Sequence, residues 1–503
     1  MLLHLSVPPQ GERDEDRPVP EPQQVAKWLS QLRSQPAQKR ARQIIAFLGP
    51  LNRRRMRVAL RQSIGELVLT EARPVVAELG TVLDDGTVPL DQDARSNVQL
   101  ADQLLKELAY TYKLLLVEQA RRLFGLASSG RAQLPAIRAM QLLAERLVLS
   151  YRMYAMPPQG VWLELHTLYH FALRRGFAQK SIDGEDDTPL SVYRDALLLA
   201  FAEPLTLMRG DLDRVRTWIA LYGQHAQLSA VHRQQAAEGL FVVKNQRDLP
   251  GYALLKRHQP PPQPHDSLLN TSPLSELLVE QLQRLQAGAT LKELGLPETI
   301  GTFGLEDLLT RLARQWGNVP GRRYERLRTH TRVCVHVGIA DIWQFLNGHM
   351  PARSADSQWI ITNESPGGFA LVHENGPLEP LRVGEVIGIR SQRDDNCHIC
   401  VVRWLRTNGA RRIELGVEEI SPSARAASIR KLRDATARNP EPVLLLPEMR
   451  AFDRAPAIVA SHVPLDVTCE IHVGDLQSRL QVKPTQLLER TVSMQMLGFK
   501  TVD

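Results

Sequence analysis

From residue 22 to about residue 235 the apolar positions of this chain recur every three or four residues, the period of a helix with one buried face. Ala101, Leu104, Leu105, Leu108, Tyr112 and Leu115 form one such stripe. Leu142, Leu143, Leu147 and Tyr151 form another within residues 139–154. Chain breakers fall where helix ends are needed, in DDGTVPLD, SSG, MPPQG, DGEDDTP and RGD. The pattern predicts an all-α domain of stacked helical hairpins over residues 21–236, with about eight helices. Residues 1–20 are polar and Pro-rich and are expected to be a disordered tail.

Beyond this domain the period changes. Residues 240–243 and 252–255 read as a short strand pair around NQRDLPG, and HQPPPQPHDS as an extended linker, since its prolines cannot continue a helix. These make up residues 237–275. Helical spacing returns at residues 273–286 and 305–316, giving a helical connector over 276–319. RVCVHV, WIITNESPGGFAL, CVVRWLR and RRIELGVEEI then read as strands, with a short helix at 339–346. SPSARAASIRKLRD reads as a helix with Ser421 as cap and Pro422 in its first position, closing a β-rich domain at 320–435.

In residues 440–503, Leu465, Val467, Cys469, Ile471 and Val473 alternate strictly with polar residues, as in a half-buried strand. Gly474 and Asp475 read as a two-residue hairpin turn, followed by a strand with Leu476, Ser478, Leu480 and Val482 on one face. Val492, Met494 and Met496 suggest a third strand. Three short strands are marginal alone, so the 240–255 pair is expected to complete this sheet. The predicted class is α+β multidomain: a helical-hairpin domain, a central β domain and a small C-terminal β module.

Composition removes several function classes. With 43% hydrophobic and 23% charged residues the chain has the balance of a globular protein, and no apolar run approaches the roughly 20 residues of a membrane span. The start MLLHLSVPPQGERDED has no basic n-region and turns acidic at once, unlike a secretory signal. Four cysteines in 503 residues argue against a disulfide scaffold and for a reducing, cytoplasmic compartment. A net charge of +7 suits an anionic ligand without being a nucleic-acid footprint.

The densest candidate chemistry lies between Gly321 and Leu371. GRRYERLR places Arg322 and Arg326 four apart with Arg323 between them, and WIITNESPGGFAL carries Asn363, Ser365 and Gly368 as N-x-S-x-x-G. VRW, containing Arg403, and Gly416-Val417-Glu418 follow. This ordered set resembles the PilZ domain, a small β-barrel that binds the bacterial second messenger cyclic di-GMP, over about residues 320–435. The resemblance implies that Arg322, Arg323, Arg326, Asn363, Ser365, Gly367, Gly368 and Arg403 bind the nucleotide, with the arginine stretch wrapping around it. It also implies a terminal helix after the barrel, matching SPSARAASIRKLRD.

The residue types suit that ligand. An arginine grips a phosphate or a guanine O6/N7 edge with two parallel hydrogen bonds, and its plane stacks on a base. Asn363 and Ser365 offer short donors and acceptors, and Gly367 and Gly368 allow a sharp turn and close approach. The 37-residue step from Arg326 to Asn363 is long for the family, the surplus falling in the helix at 339–346 and the loop GHMPARSADSQ.

Other constellations are weaker. Trp162, Leu165, Tyr169 and Ala178 fall at tetratricopeptide offsets, with Pro189 one residue early, in a single unit. His166 and His170 stand four apart but lack the Glu of H-E-x-x-H and a third ligand, so packing is the expected role. Cys397 and Cys400 would point to opposite faces of a strand, as buried thiols rather than a zinc pair. The run from Asn52 to Arg57 is basic but lacks interleaved aromatics or a helix-turn-helix. No Walker loop, dinucleotide fingerprint, nucleophile elbow, GGDEF or EAL signature occurs.

The reading is therefore a non-enzymatic cyclic di-GMP effector, without cofactor or metal, that passes nucleotide binding to an unidentified protein partner in motility, pilus or biofilm machinery. Its partner would dock on the helical domain or the C-terminal β module. Two alternatives stand beside it: a degenerate module that only mediates protein contacts, and a nucleic-acid-binding regulator using residues 51–57.

Overall fold

A computed structural model describes the chain except residues 1–2, 4, 12–18, 123–129, 183, 232–236, 257–258, 318–325, 350–356, 392–395, 409–411, 432–439, 450–453, 466, 474–477 and 503. Residues 1–85, 90–204 and 212–321 make one compact unit, and residues 86–89, 205–211 and 322–503 the other.

The first unit is built on α1 (Pro22–Leu32), α2 (Ala37–Asn52), α3 (Val58–Gly80), α4 (Gln92–Arg122), α5 (Gly130–Arg152), α6 (Val161–Arg174), α7 (Pro189–Phe201) and α8 (Asp211–Tyr222). The two stripes seen in the sequence are its core. All six positions of the first lie on α4, which packs against α2, α3 and α5, and none is more than 4% exposed. The basic run at Asn52–Arg57 forms the turn between α2 and α3. There buried Asn52 donates to Glu107, and the Arg54 carbonyl accepts from buried Arg61.

Three expectations need correction in this unit. The N-terminal tail is not disordered throughout: Ser6 donates its N–H to Glu164 (2.7 Å), Gly11 donates to the Arg53 carbonyl (2.9 Å), and Pro8 is buried. The tetratricopeptide reading fails because Ala178 sits in the turn after α6, and Pro189 opens α7. There Thr188 and Ser191 form a reciprocal cap, the position where a first-turn proline is favoured.

The third correction concerns the strand pair. β1 (Gln227–Ala230), β2 (Leu240–Val243), β3 (Gly251–Ala253) and β4 (Ser267–Asn270) form their own four-stranded sheet in the order β1-β4-β2-β3. The pair therefore completes a sheet of the helical unit, not the C-terminal module, and β1 lies inside the segment read as all-α. The Pro-rich stretch returns the chain to β4, where buried Asp266 accepts from Lys244 and from the Gln263 N–H, both at 2.7 Å. α9 (Ser272–Gln286) and α10 (Leu305–Trp316) pack together, and Trp316 is fully buried beside Trp218.

His166 is a packing histidine. Its Nδ1 lies 2.6 Å from the Tyr193 hydroxyl and its Nε2 3.0 Å from the Leu249 carbonyl. Burial pushes its pKa down to about 4 from 6.5. A base with a depressed folded pKa contributes stability that is fully present above its unfolded pKa and is lost as pH falls toward the folded one. Between pH 6.5 and 5 this group is expected to cost on the order of 2 kcal/mol. Denaturation of the wild type and of His166→Asn over that window checks it: the variant should lose stability less steeply with acidification.

The second unit contains two closed antiparallel barrels. β5 (Leu327–Val337), α11 (Gly338–Leu346), β6 (Gln358–Ser365), β7 (Gly368–Asn375), β8 (Val386–Ser391), β9 (Cys397–Asn408) and β10 (Arg412–Ser421) form the first, in the order β10-β7-β6-β5-β8-β9. β11 (Arg425–Lys431), β12 (Glu441–Leu446), β13 (Ala457–Ala460), β14 (Cys469–Val473), β15 (Ser478–Arg490) and β16 (Gln495–Thr501) form the second, in the order β11-β12-β13-β16-β15-β14.

The predicted helix at SPSARAASIRKLRD is instead β11, the first strand of the second barrel. Its Ala427 and Ile429 face that barrel's core, and it pairs with β12 on one side and β14 on the other. Tertiary pairing overrides its helical propensity. The β14–β15 hairpin is present, but Val473 pairs with Ser478, so four residues separate the strands, and the expected Gly474–Asp475 turn lies outside the described residues.

The two barrels share a core. α11 places Ile339 and Ile342 against Val386, Ile399 and Val401 of the first barrel and Leu444 and Val459 of the second. The Trp343 indole donates to the Ala427 carbonyl at 2.7 Å. Cys397 joins this shared core, burial pushing its thiol up to about 12, and Cys400 is buried as well.

Candidate ligand-binding site

The N-x-S-x-x-G motif forms the β6–β7 hairpin. Ser365 pairs with Gly368 across Pro366 and Gly367, a two-residue loop, and the Ser365 hydroxyl donates to the Gly368 carbonyl at 3.3 Å. Gly367 accepts from the Glu419 N–H at 3.2 Å, fixing the loop to β10. Gly368 has φ 143°, and a Cβ there would lie 2.0 Å from the Val417 carbonyl oxygen. The motif thus needs glycine at this position because two backbones touch.

Asn363 lies on β6 beside a bulge and pairs with Ala370 on one side and Arg328 on the other. It is half-buried, and its side chain has no hydrogen bond among the described residues. Arg326 is exposed and stands one residue before β5, whose first residue pairs with Glu364. Arg326 is therefore brought next to the hairpin end. Arg322 and Arg323 lie outside the described residues.

Sequence reasoning passed over Arg328. It is exposed and stands opposite Asn363 on β5. The signal was the RLR run: residues two apart on an extended chain share a face, so Arg328 follows Arg326. The neighbouring β7–β10 edge adds Phe369, in edge contact with His398, whose Nδ1 lies 2.6 Å from Glu419.

Arg403 has a different setting. It donates to Glu418 at 2.9 Å and makes a two-pronged bond with Glu489 of β15, at 2.5 and 3.0 Å. It spans from β9 of the first barrel to the second. The other two motifs also explain each other: Gly416 is opposite Trp404 in the ladder, and a Cβ on Gly416 would meet the Trp404 Nε1 at 1.9 Å. The W of VRW and the G of G-V-E are a packing pair.

Three family matches follow one another along the chain. Residues 352–426 match the family described as cyclic-di-GMP receptor FimW, middle PilZ domain. The central barrel is a PilZ domain. Residues 23–234 match the N-terminal domain of the same receptor, and residues 427–502 match the FimW C-terminal beta-barrel domain. The step from 426 to 427 falls within β11, in agreement with the second barrel beginning there rather than near residue 440. The PilZ match takes in Asn363, Ser365, Gly367, Gly368 and Arg403, whereas Arg322, Arg323 and Arg326 precede it. The cyclic-di-GMP receptor FimW of Pseudomonas aeruginosa is 25% identical to this chain, over 90% of this chain and 86% of that protein.

Proposed function

We propose that this protein is a cyclic di-GMP effector. The PilZ barrel binds the nucleotide between the arginine stretch Arg322, Arg323 and Arg326 and the hairpin bearing Asn363, Ser365, Gly367 and Gly368, with Arg328 at the junction. The observation that carries this reading is the β5–β6 register, which sets Arg326 and Arg328 beside the N-x-S-x-x-G turn. The likeness to a protein named as a cyclic-di-GMP receptor supports the ligand.

The protein works without catalysis and without a cofactor, in the cytoplasm, where the nucleotide would be met. Among the described residues no helix is long and apolar enough to cross a membrane. Binding is passed to a protein partner in surface motility, pilus or biofilm machinery.

Isothermal titration of the full chain with cyclic di-GMP tests the ligand. No heat of binding would leave the degenerate, purely protein-binding module. A fragment ending at residue 435 is unsuitable, because it separates β11 from its barrel.

Arg403 serves the bridge between barrels in this proposal rather than the ligand. Its pairs are partly exposed, so Arg403→Ala is expected to cost only about 1 kcal/mol of stability and to leave nucleotide affinity within about twofold. A tenfold loss of affinity in the same titration would make Arg403 a ligand contact.

A further inference from the structure

A two-residue turn has little of its own to fix the angle at which it leaves a barrel. At the N-x-S-x-x-G hairpin that angle is set by neighbours on other strands. Gly367 accepts from the Glu419 N–H of β10 at 3.2 Å. Phe369, the residue after Gly368, meets the His398 ring of β9 edge-on, with ring centroids 5.7 Å apart and planes at 79°. The two holds converge on one side chain. His398 Nδ1 lies 2.6 Å from the Glu419 carboxylate. A carboxylate accepts, so the imidazole donates from Nδ1.

The register explains why these groups meet. Glu419 stands opposite Cys400 on β9, and residues two apart on a strand share a face, so His398 lies on the face of Cys400. His398 is therefore the diagonal neighbour of Glu419, within reach of a long side chain. β10 then shifts register between Glu419 and Ser421, an irregularity of the kind that re-aims side chains at a strand end. The His398 and Glu419 side chains are 30% and 21% exposed, so their pairing adds little to the stability of the barrel as a whole.

We infer that His398 is a positioning residue for the hairpin: bonded to Glu419 and packed on Phe369, it holds the turn against β10 and keeps Asn363 and Ser365 ready for the nucleotide. The inference deepens the nucleotide site proposed above and rests on it. A hold of modest strength acts on affinity through population. When a loop visits its binding arrangement for only a fraction of the time, apparent affinity falls by that fraction.

The test compares His398→Ala, His398→Asn and Arg406→Ala in the full chain by cyclic di-GMP titration, thermal unfolding and hydrogen exchange. Asparagine keeps an amide nitrogen near the place of Nδ1 without the ring. Arg406 pairs with Glu414 at 3.0 Å across the same two strands, toward their other end, and so controls for the loss of a cross-strand ion pair alone. Both alanine variants should melt within about 4 °C of the wild type. His398→Ala is expected to weaken binding roughly fivefold or more, with asparagine restoring about half of the loss, while Arg406→Ala stays within about twofold. In the ligand-free chain His398→Ala should also speed exchange at the Glu419 amide, which reads the bond to Gly367 directly. Affinity of His398→Ala within about twofold of wild type, an equal loss in Arg406→Ala, or unchanged exchange at Glu419 overturns the proposal. Failure of the wild type to bind cyclic di-GMP strikes the proposed ligand, and the exchange comparison still decides whether His398 holds the turn.

Discussion

Replacing Arg322 and Arg326 together by alanine is expected to lower affinity for cyclic di-GMP roughly a hundredfold or more, with no loss of stability. Each guanidinium is assigned charged hydrogen bonds worth about 1.5–3 kcal/mol. Every 1.4 kcal/mol is about tenfold in affinity, so either single variant should lose at least roughly tenfold. Stability should hold because Arg326 is exposed and precedes the first barrel strand, where its removal opens no cavity. Lysine separates charge from geometry. Arg326→Lys keeps the cation but loses the planar fork, and an intermediate affinity is expected. Arg328→Ala, at the ladder position opposite Asn363, should show a smaller loss in the same titration. Unchanged affinity in both single alanine variants would remove this stretch from the site and leave the hairpin to be explained alone.

The turn of the candidate site was legible because its motif is short and its backbone is locally determined. Ser365, Pro366, Gly367 and Gly368 specify a hairpin from four adjacent residues, and the structure has it. VRW and G-V-E were legible as strands, yet their roles were not. That Trp404 covers Gly416 depends on the register of β9 against β10, a fact about pairing that no single strand contains. The pairing of Arg403 with Glu489 was not legible, because Glu489 lies far along the chain, in a barrel whose strands were only partly recognised. The helical unit was more open to sequence reading, since each stripe is set by its own 3.6-residue period and buries one face.

The second barrel shows the opposite limit. EPVLLL and AIVA carry little alternation because both faces of β12 and β13 are covered. Val443 and Ile458 point into their own barrel, while Leu444 and Val459 face the core shared with the first. A strand buried on both sides loses the period-two signal that a half-buried strand carries. The same shared core explains the long step between Arg326 and Asn363. Its surplus holds α11, whose Ile339, Ile342 and Trp343 join the barrels. What looked like a departure from the family pattern is the segment that couples its two β domains.

Gly368→Val is expected to destabilise the protein by at least about 3 kcal/mol and to weaken nucleotide binding with it. Two effects add. The backbone at Gly368 has φ 143°, where a β-branched residue is strained. More severely, the new Cβ would sit 2.0 Å from the Val417 carbonyl oxygen and 3.0 Å from the Glu418 Cα, both backbone atoms. A side chain in the way could rotate aside, but a strand backbone moves only by breaking its ladder. Relief therefore requires β7 and β10 to part at the Gly368–Glu418 and Phe369–Val417 pairs. It also pulls Gly367 from the Glu419 N–H and so displaces the hairpin that positions Asn363 and Ser365. Since the collision comes from Cβ itself, Gly368→Ala should already show most of the loss, with valine adding the cost of its branch. Denaturant unfolding of both variants, paired with cyclic di-GMP titration, separates the roles of this residue. Weaker binding with stability within about 0.5 kcal/mol of wild type would make Gly368 a ligand contact and not the point where two strands meet.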